Sequence, residues 1–126
     1  MSDPFTLAIT KAFDKFGIAA ETAARKIALD MQRDVTLATP VDTGLLQSSW
    51  FVGVNTEPPD KPDKPDGAAP AAKAFQTLAG FKWGDTIYIT NNQVYAWAIE
   101  YGHSKQAPAG MARITMARYQ AAFGRW

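Results

Sequence analysis

Four side chains could do chemistry if the fold brought them together: His103 and Ser104, adjacent in a polar stretch, and the carboxylates of Asp42 and Glu100. A hydrolase would use Ser104 as nucleophile, His103 as its base and one of the carboxylates to orient the imidazole. Adjacent His and Ser do not by themselves have that geometry, and the chain has no Gly-x-Ser-x-Gly elbow to expose a nucleophile. A lone His after a glycine in a polar loop reads instead as a hydrogen-bonded surface or interface residue, and alanine at position 103 is the direct test. One His and scattered carboxylates match no metal-ligand spacing. The segments VDTG (41–44) and AGFKWG (79–84) lack the second glycine and the Lys-Ser/Thr ending that cradle a phosphate. The residues therefore point away from an enzyme and call for no cofactor and no metal.

The elements that would have to position these groups come from 126 residues, 47% of them apolar, which is enough for one core and one domain spanning 1–126. With no cysteine there is no disulfide framework, thiolate metal site or cysteine nucleophile. Thirteen Lys and Arg stand against 12 Asp and Glu, so attraction to nucleic acid or an anionic surface would need a local cluster. One cluster exists. Residues 101–126 hold Lys105, Arg113, Arg118 and Arg125 and no acid. Arg118 and Arg125 share a helix face, while Arg113 points about 140° away at about 100° per residue. Two readings stand side by side: cations that complement a helix C-terminus or pair with Asp14, Glu21, Asp30 or Asp34 of a neighbouring copy, or a surface facing phosphates. The second supports an alternative function as a small nucleic-acid-binding or regulatory module. No stretch of about 18 apolar residues and no basic-then-apolar leader is present, so no membrane association is expected and a cytoplasmic product is the default.

Apolar residues Phe5, Ile9, Phe13, Phe16, Ala20, Ala23, Ile27 and Met31 recur in steps of three and four, which predicts a helix over 5–35 with Asp3 as N-cap, Pro4 at its first position and Thr39-Pro40 as its stop. At about 1.5 Å per residue this rod is roughly 50 Å long and overhangs a domain of this size, unless a kink at Gly17 divides it. The overhang would pack on a neighbouring subunit. Residues 45–55 predict a strand from about Ser48, and TIYITN (86–91) a second. Residues 56–72 carry Pro58, Pro59, Pro62, Pro65 and Pro70 among Asp and Lys, which excludes helix or central strand and predicts an extended loop or arm, mobile in the free protein. Helices are predicted at 73–79, at 93–101 with strand as the alternative, and at 109–123. No internal repeat is visible. The fold class is α+β, with a long N-terminal helix and a C-terminal helix packed on a small antiparallel sheet. The last helix is apolar on most of its circumference, so Tyr119, Phe123 and Trp126 should dock on something.

Three segments, TPVDTGLLQSSW (39–50), IYITNNQVYAWAIEYGHS (87–104) and QAPAGMARITM (106–116), together resemble the tail-completion or neck proteins of tailed bacteriophages, the group of minor tail protein Z-like and head–tail joining components. That family shows a similar order: a long first helix, a T-P-V-D-T-G-x-L-x-x-S-W element, an I-x-N-x-x-x-Y-A-x-x-x-E-x-G element and a Pro-Gly-Met stretch opening a final helix. The proline-rich stretch is a departure from it. The resemblance implies a virion structural protein without catalytic residues, located in the neck or tail and in the host cytoplasm during assembly. It also implies a homo-oligomeric ring, six-fold in the leading expectation, that joins the head connector or adaptor to a tail terminator or tail tube.

A closed ring needs two different faces per subunit. The expected interface residues are Phe13 and Phe16 on the first helix with Met116, Tyr119, Phe123 and Trp126 on the last. Lys105, Arg113, Arg118 and Arg125 would face a neighbour or the genomic DNA in the channel. Val41, Asp42, Thr43, Gly44, Trp50, Tyr95, Glu100 and Gly102 are expected to be scaffold: a side-chain-closed turn with Gly44 at positive φ, Leu45 and Trp50 in the core, and Gly102 letting the chain reverse.

Overall fold

The computed structural model of the chain describes residues 5–8, 19–41, 43–101 and 110–123. The elements run β1 Phe5–Ala8, α1 Ala19–Ala38, a single 3-10 turn Gln47–Ser49, β2 Trp50–Val54, α2 Ala69–Ala79, β3 Ile87–Asn91, α3 Ala96–Glu100 and α4 Ala112–Phe123. The strands form one antiparallel sheet in the order β1-β3-β2. Trp50 pairs with Asn91, Val52 with Ile89 and Val54 with Ile87, so these six share one face. Helix α1 packs against α2 on one side and α4 on the other, α2 against β2, and α4 against β1. The fold is α+β, as the pattern of elements implied.

The first apolar stretch departs from expectation. Residues 5–8 (FTLA) are a strand, with Phe5 opposite Asn91 and Ala8 opposite Tyr88. Four residues are too few for helical periodicity to exclude a strand, and the otherwise unpaired edge of β3 supplies backbone partners that a local helix cannot. Helix α1 has 20 residues, about 30 Å at about 1.5 Å per residue. That is the length of its described part; residues 9–18, on which the expected overhang depends, lie outside the described residues. Asp3, Pro4, Phe13, Phe16 and Gly17 lie outside the described residues.

The buried stripe of α1 is Ala24, Ala28, Met31 and Val35, while Ala23 is exposed and Ile27 half-buried. The helix is thus turned from the predicted face, which puts two alanines toward the sheet and lets the backbone come close to it. Trp50, fully buried, lies under its C-terminal half: Gln32 Nε2 donates to the Trp50 carbonyl (3.0 Å), and the indole N–H donates to Thr39 Oγ1 (2.9 Å). The other end of α1 clamps the chain after α2. Arg25 donates to the carbonyls of Leu78 (3.0 Å) and Phe81 (2.6 Å), and Glu21 accepts from the Trp83 N–H (2.7 Å). A cation at the end of α2 complements its dipole and satisfies carbonyls that the helix leaves open.

The proline-rich stretch is extended only as far as Ala68. Its last residues open α2, with Pro70 in the first turn, where its missing N–H has no intrahelical role. Asp66 Oδ1 accepts from the Ala68 and Ala69 N–H groups at that helix start. Residues 56–68 form a strap fastened to the body rather than a free arm. They also contain a repeat missed above: Pro59-Asp60-Lys61, Pro62-Asp63-Lys64, Pro65-Asp66-Gly67.

Candidate functional site

The three segments that carry the family resemblance meet at buried polar side chains. In the first, Leu45 N–H donates to Thr43 Oγ1 (3.2 Å) and Gly44 has φ +87°, so the turn after the first helix closes as its composition predicted. Leu46 enters the core, while Leu45, the residue expected there, stays half-buried. Val41 is 53% exposed, so its place in the motif is on the surface, and Asp42 lies outside the described residues. The first segment joins the second through Asn91, whose Nδ2 donates to the Leu46 carbonyl (3.0 Å) while its Oδ1 accepts from the Gln93 N–H (3.0 Å).

The second segment joins the third through Glu100. Its side chain is 0% exposed. Oε1 accepts from the N–H groups of Met111 (2.8 Å) and Ala112 (2.6 Å), and Oε2 from the Arg113 N–H (2.9 Å) and Arg113 Nε (3.0 Å). A second nitrogen of the same guanidinium donates to the Glu100 carbonyl, and the guanidinium stacks on the Tyr101 ring (4.7 Å). A carboxylate at the start of α4 meets both unsatisfied donors and the positive end of the helix dipole. Gly110 has φ +85°, and a Cβ there would stand 2.5 Å from Glu100 Oε2, so only glycine permits this approach. Four donors saturate the carboxylate, which leaves no accessible lone pair for proton transfer. The site fastens a helix. The anion position at the start of α4 is filled by the chain's own carboxylate.

Met116 and Tyr119 pack on the chain's own core, and the Tyr119 hydroxyl donates to Asp34 (2.6 Å). Part of the covering expected for α4 is therefore intramolecular. The side chain of Phe123 lies outside the described residues, as do Gly102, His103, Ser104, Lys105, Arg125 and Trp126. Arg118 is exposed, whereas Arg113 is engaged with Glu100. The acids of α1 are also occupied within the chain: Glu21 by Trp83 and Arg25, Asp30 by Lys26 and Arg33, Asp34 by Arg33 and Tyr119. They are not spare partners for a neighbour's arginines. Tyr95 is 40% exposed, while Ile99 packs on the core.

An open groove of about 320 Å³ lies between α1 and α2, bordered by Gln32, Arg33, Thr36, Gln47, Ser48 and Pro65. Among the described residues no carboxylate or imidazole lines it. Among the described residues no group of three or more His, Asp or Glu could hold a metal, and no helix is long and apolar enough to cross a membrane. Sequence reasoning missed Gln32, Asn91, Asn92 and Gln93 as fasteners. The signal at Asn91, Asn92 and Gln93 was a polar side chain beside strong strand formers, which reads equally well as a turn, and Gln32 gave none on its helix.

The described residues thus form an α+β fold in which Trp50, Asn91 and Glu100 fasten one element to another. Comparison with protein-family models, with curated proteins and with solved structures found no match to the chain.

Proposed function

We propose that this protein is a neck or tail-completion component of a tailed bacteriophage, a virion structural protein that assembles as a ring between head connector and tail. One observation carries the reading: the segments that resemble that family are joined to one another by hydrogen bonds, Asn91 to Leu46, and Glu100 to Met111, Ala112 and Arg113. Motif residues spent on fastening elements suit a protein whose task is to hold a shape against neighbours. Exposed Leu37, Val41 and Phe75 add apolar surface of the kind that assembly covers.

Native mass spectrometry and negative-stain imaging across concentration, alone and with connector or tail-tube proteins, test the proposal. The expected result is a closed ring, six-fold in the first instance, either alone or on its partner. A chain that stays monomeric throughout and joins no virion particle refutes it.

A further inference from the structure

The triplets of the strap differ in their last residue: Pro59-Asp60-Lys61 and Pro62-Asp63-Lys64, then Pro65-Asp66-Gly67. The body of the domain holds the strap in place. Asn92 Nδ2 donates to the carbonyls of Pro58 (2.8 Å) and Asp60 (3.1 Å), and Gln93 Nε2 to the Pro62 carbonyl (2.8 Å) and to Ser49 Oγ (3.1 Å). The Asp60 carboxylate pairs with Lys73. Asp66 is held by the backbone around it: its N–H donates to Ser48 Oγ (3.3 Å), and its Oδ1 accepts from the N–H groups of Ala68 (3.1 Å) and Ala69 (3.3 Å). A side-chain oxygen bonded to the N–H two residues ahead closes an Asx turn, which folds the carboxyl back along the peptide that follows it. The nitrogen of that peptide belongs to Gly67.

In the described fold neither conformation nor close approach calls for glycine at 67. It is not among the glycines at positive φ, and a Cβ there would meet nothing within 4 Å. Its N–H has no hydrogen-bond partner among the described residues. Asp66 and Gly67 are both exposed, and Gly67 borders the open groove between α1 and α2, so water reaches the pair. What glycine supplies is an unhindered nitrogen, since any Cβ on the following residue crowds an approach to the aspartate carboxyl.

We infer that Asp66–Gly67 is a self-modification site, where the backbone cyclises to a succinimide and reopens as isoaspartate. With the carboxyl uncharged, Gly67 N adds to Asp66 Cγ and gives its proton to solvent. The carboxyl hydroxyl takes a proton from solvent, its bond to Cγ breaks and one water leaves. The five-membered ring then contains Gly67 N with Cγ, Cβ, Cα and the carbonyl carbon of Asp66. Water adds back at either ring carbonyl. Addition at Cγ restores aspartate. Addition at the main-chain carbonyl carbon breaks its bond to Gly67 N and leaves the chain running through Cγ, one methylene longer, with a carboxylate on Cα. One water is lost and one gained, and nothing is oxidised or reduced. The lengthened backbone no longer sets a carboxylate over the Ala68 and Ala69 N–H groups, so the start of α2 loses its cap.

Asp60 and Asp63, each followed by lysine, are internal controls in the same strap. The full chain is incubated in mildly acidic buffer made with water enriched in heavy oxygen, then digested, and the strap peptide is sequenced by electron-transfer fragmentation, which tells isoaspartate from aspartate. Heavy oxygen and isoaspartate should collect at Asp66 at least about tenfold above Asp60 and Asp63, and fall to their level in Gly67→Ala, a change that the open space at this position accommodates. In the modified fraction the amides of Ala68 and Ala69 should exchange faster while those of β3 keep their protection. Equal labelling at all three aspartates overturns the inference. So does a rate at Asp66 more than about tenfold below that of the same chain unfolded in urea, because the fold would then shield the pair instead of holding it open to attack.

Discussion

Replacing Glu100 by glutamine keeps its shape and removes only its charge and one acceptor. Each carboxylate oxygen takes two donors, Met111 and Ala112 N–H on Oε1, the Arg113 N–H and Nε on Oε2. In either orientation the new amide sets an NH2 group against two N–H donors, so two of the four bonds are lost and become repulsive contacts. A hydrogen bond to a charged group contributes about 1.5–3 kcal/mol. Because Arg113 is half-exposed, the bond from its side chain counts at the low end, and Glu100→Gln should cost about 3–4 kcal/mol. That is a large part of the roughly 5–15 kcal/mol typical of a domain. With a urea slope of about 2 kcal/mol per molar, the midpoint should fall by about 1.5–2 M. Glu100→Ala should cost more, about 3–5 kcal/mol, since it leaves Arg113 Nε and three backbone N–H groups without their acceptor. Hydrogen exchange separates this from a general loss of stability: amides 111–113 should lose protection before those of β3. A Glu100→Gln midpoint within about 0.25 M of the parent, with amides 111–113 still protected, would refute the fastening role.

Thr39→Val removes the acceptor of the buried Trp50 indole N–H and should cost about 1–3 kcal/mol, read as a lower urea midpoint; an unchanged midpoint would mean the indole finds another acceptor. Gly53→Ala should lift Pro58 from the strand, raising hydrogen exchange across residues 57–66 and leaving β3 protected, whereas unaltered exchange would show that the strap yields without detaching. Burial, then the hydrogen bond to Asp34 and its charge, push the Tyr119 phenol well above its usual range. The folded chain then keeps a proton that the unfolded chain releases, so stability is full below about pH 10 and falls as pH rises beyond it. Tyr119→Phe should flatten that alkaline decline, and an equally steep decline in the variant would place its origin elsewhere.

Element types were readable where composition left one physical option. Prolines at 58, 59, 62 and 65 exclude ladder and helix alike, and TIYITN has β-branched and aromatic residues with no helical spacing. The first apolar stretch misled because Phe5, Ile9 and Phe13 fit a helical stripe, while the pairing that makes residues 5–8 a strand comes from β3, more than 80 residues away. Local propensity contains no information about an edge that a distant segment offers. The Ala24–Ala28 stripe was hidden for the opposite reason: alanine weighs little in an apolar pattern, yet small side chains decide which face comes closest to the sheet. Glu100 was legible as a motif residue and not as a cap, because its acceptors' partners lie 11 to 13 residues ahead, beyond the spacing at which a capping sequence is recognised.

The charge pattern of the C-terminus changes meaning once these contacts are in place. In the sequence, Arg113 and Arg118 count equally toward a basic segment. In the fold Arg113 is the counter-ion of a buried carboxylate and is further held by the Tyr101 ring, so its charge is spent inside the domain. Arg118 remains exposed. Phosphate-driven binding scales with the number of cations engaged, with a salt slope of about 0.9 per phosphate on duplex DNA, and Arg118 alone would contribute only one such increment. A phosphate-facing role for the C-terminal segment would therefore have to draw on Lys105 and Arg125 as well. The pairing alternative is narrowed in the same way, since Glu21, Asp30 and Asp34 already have partners within the chain. Both original readings treated the arginines as surface charge. The buried Glu100–Arg113 pair makes one of them part of the scaffold, and a scaffold fastened by polar contacts, each tied to a particular backbone group, fixes the relative placement of its helices more narrowly than apolar packing of interchangeable side chains can.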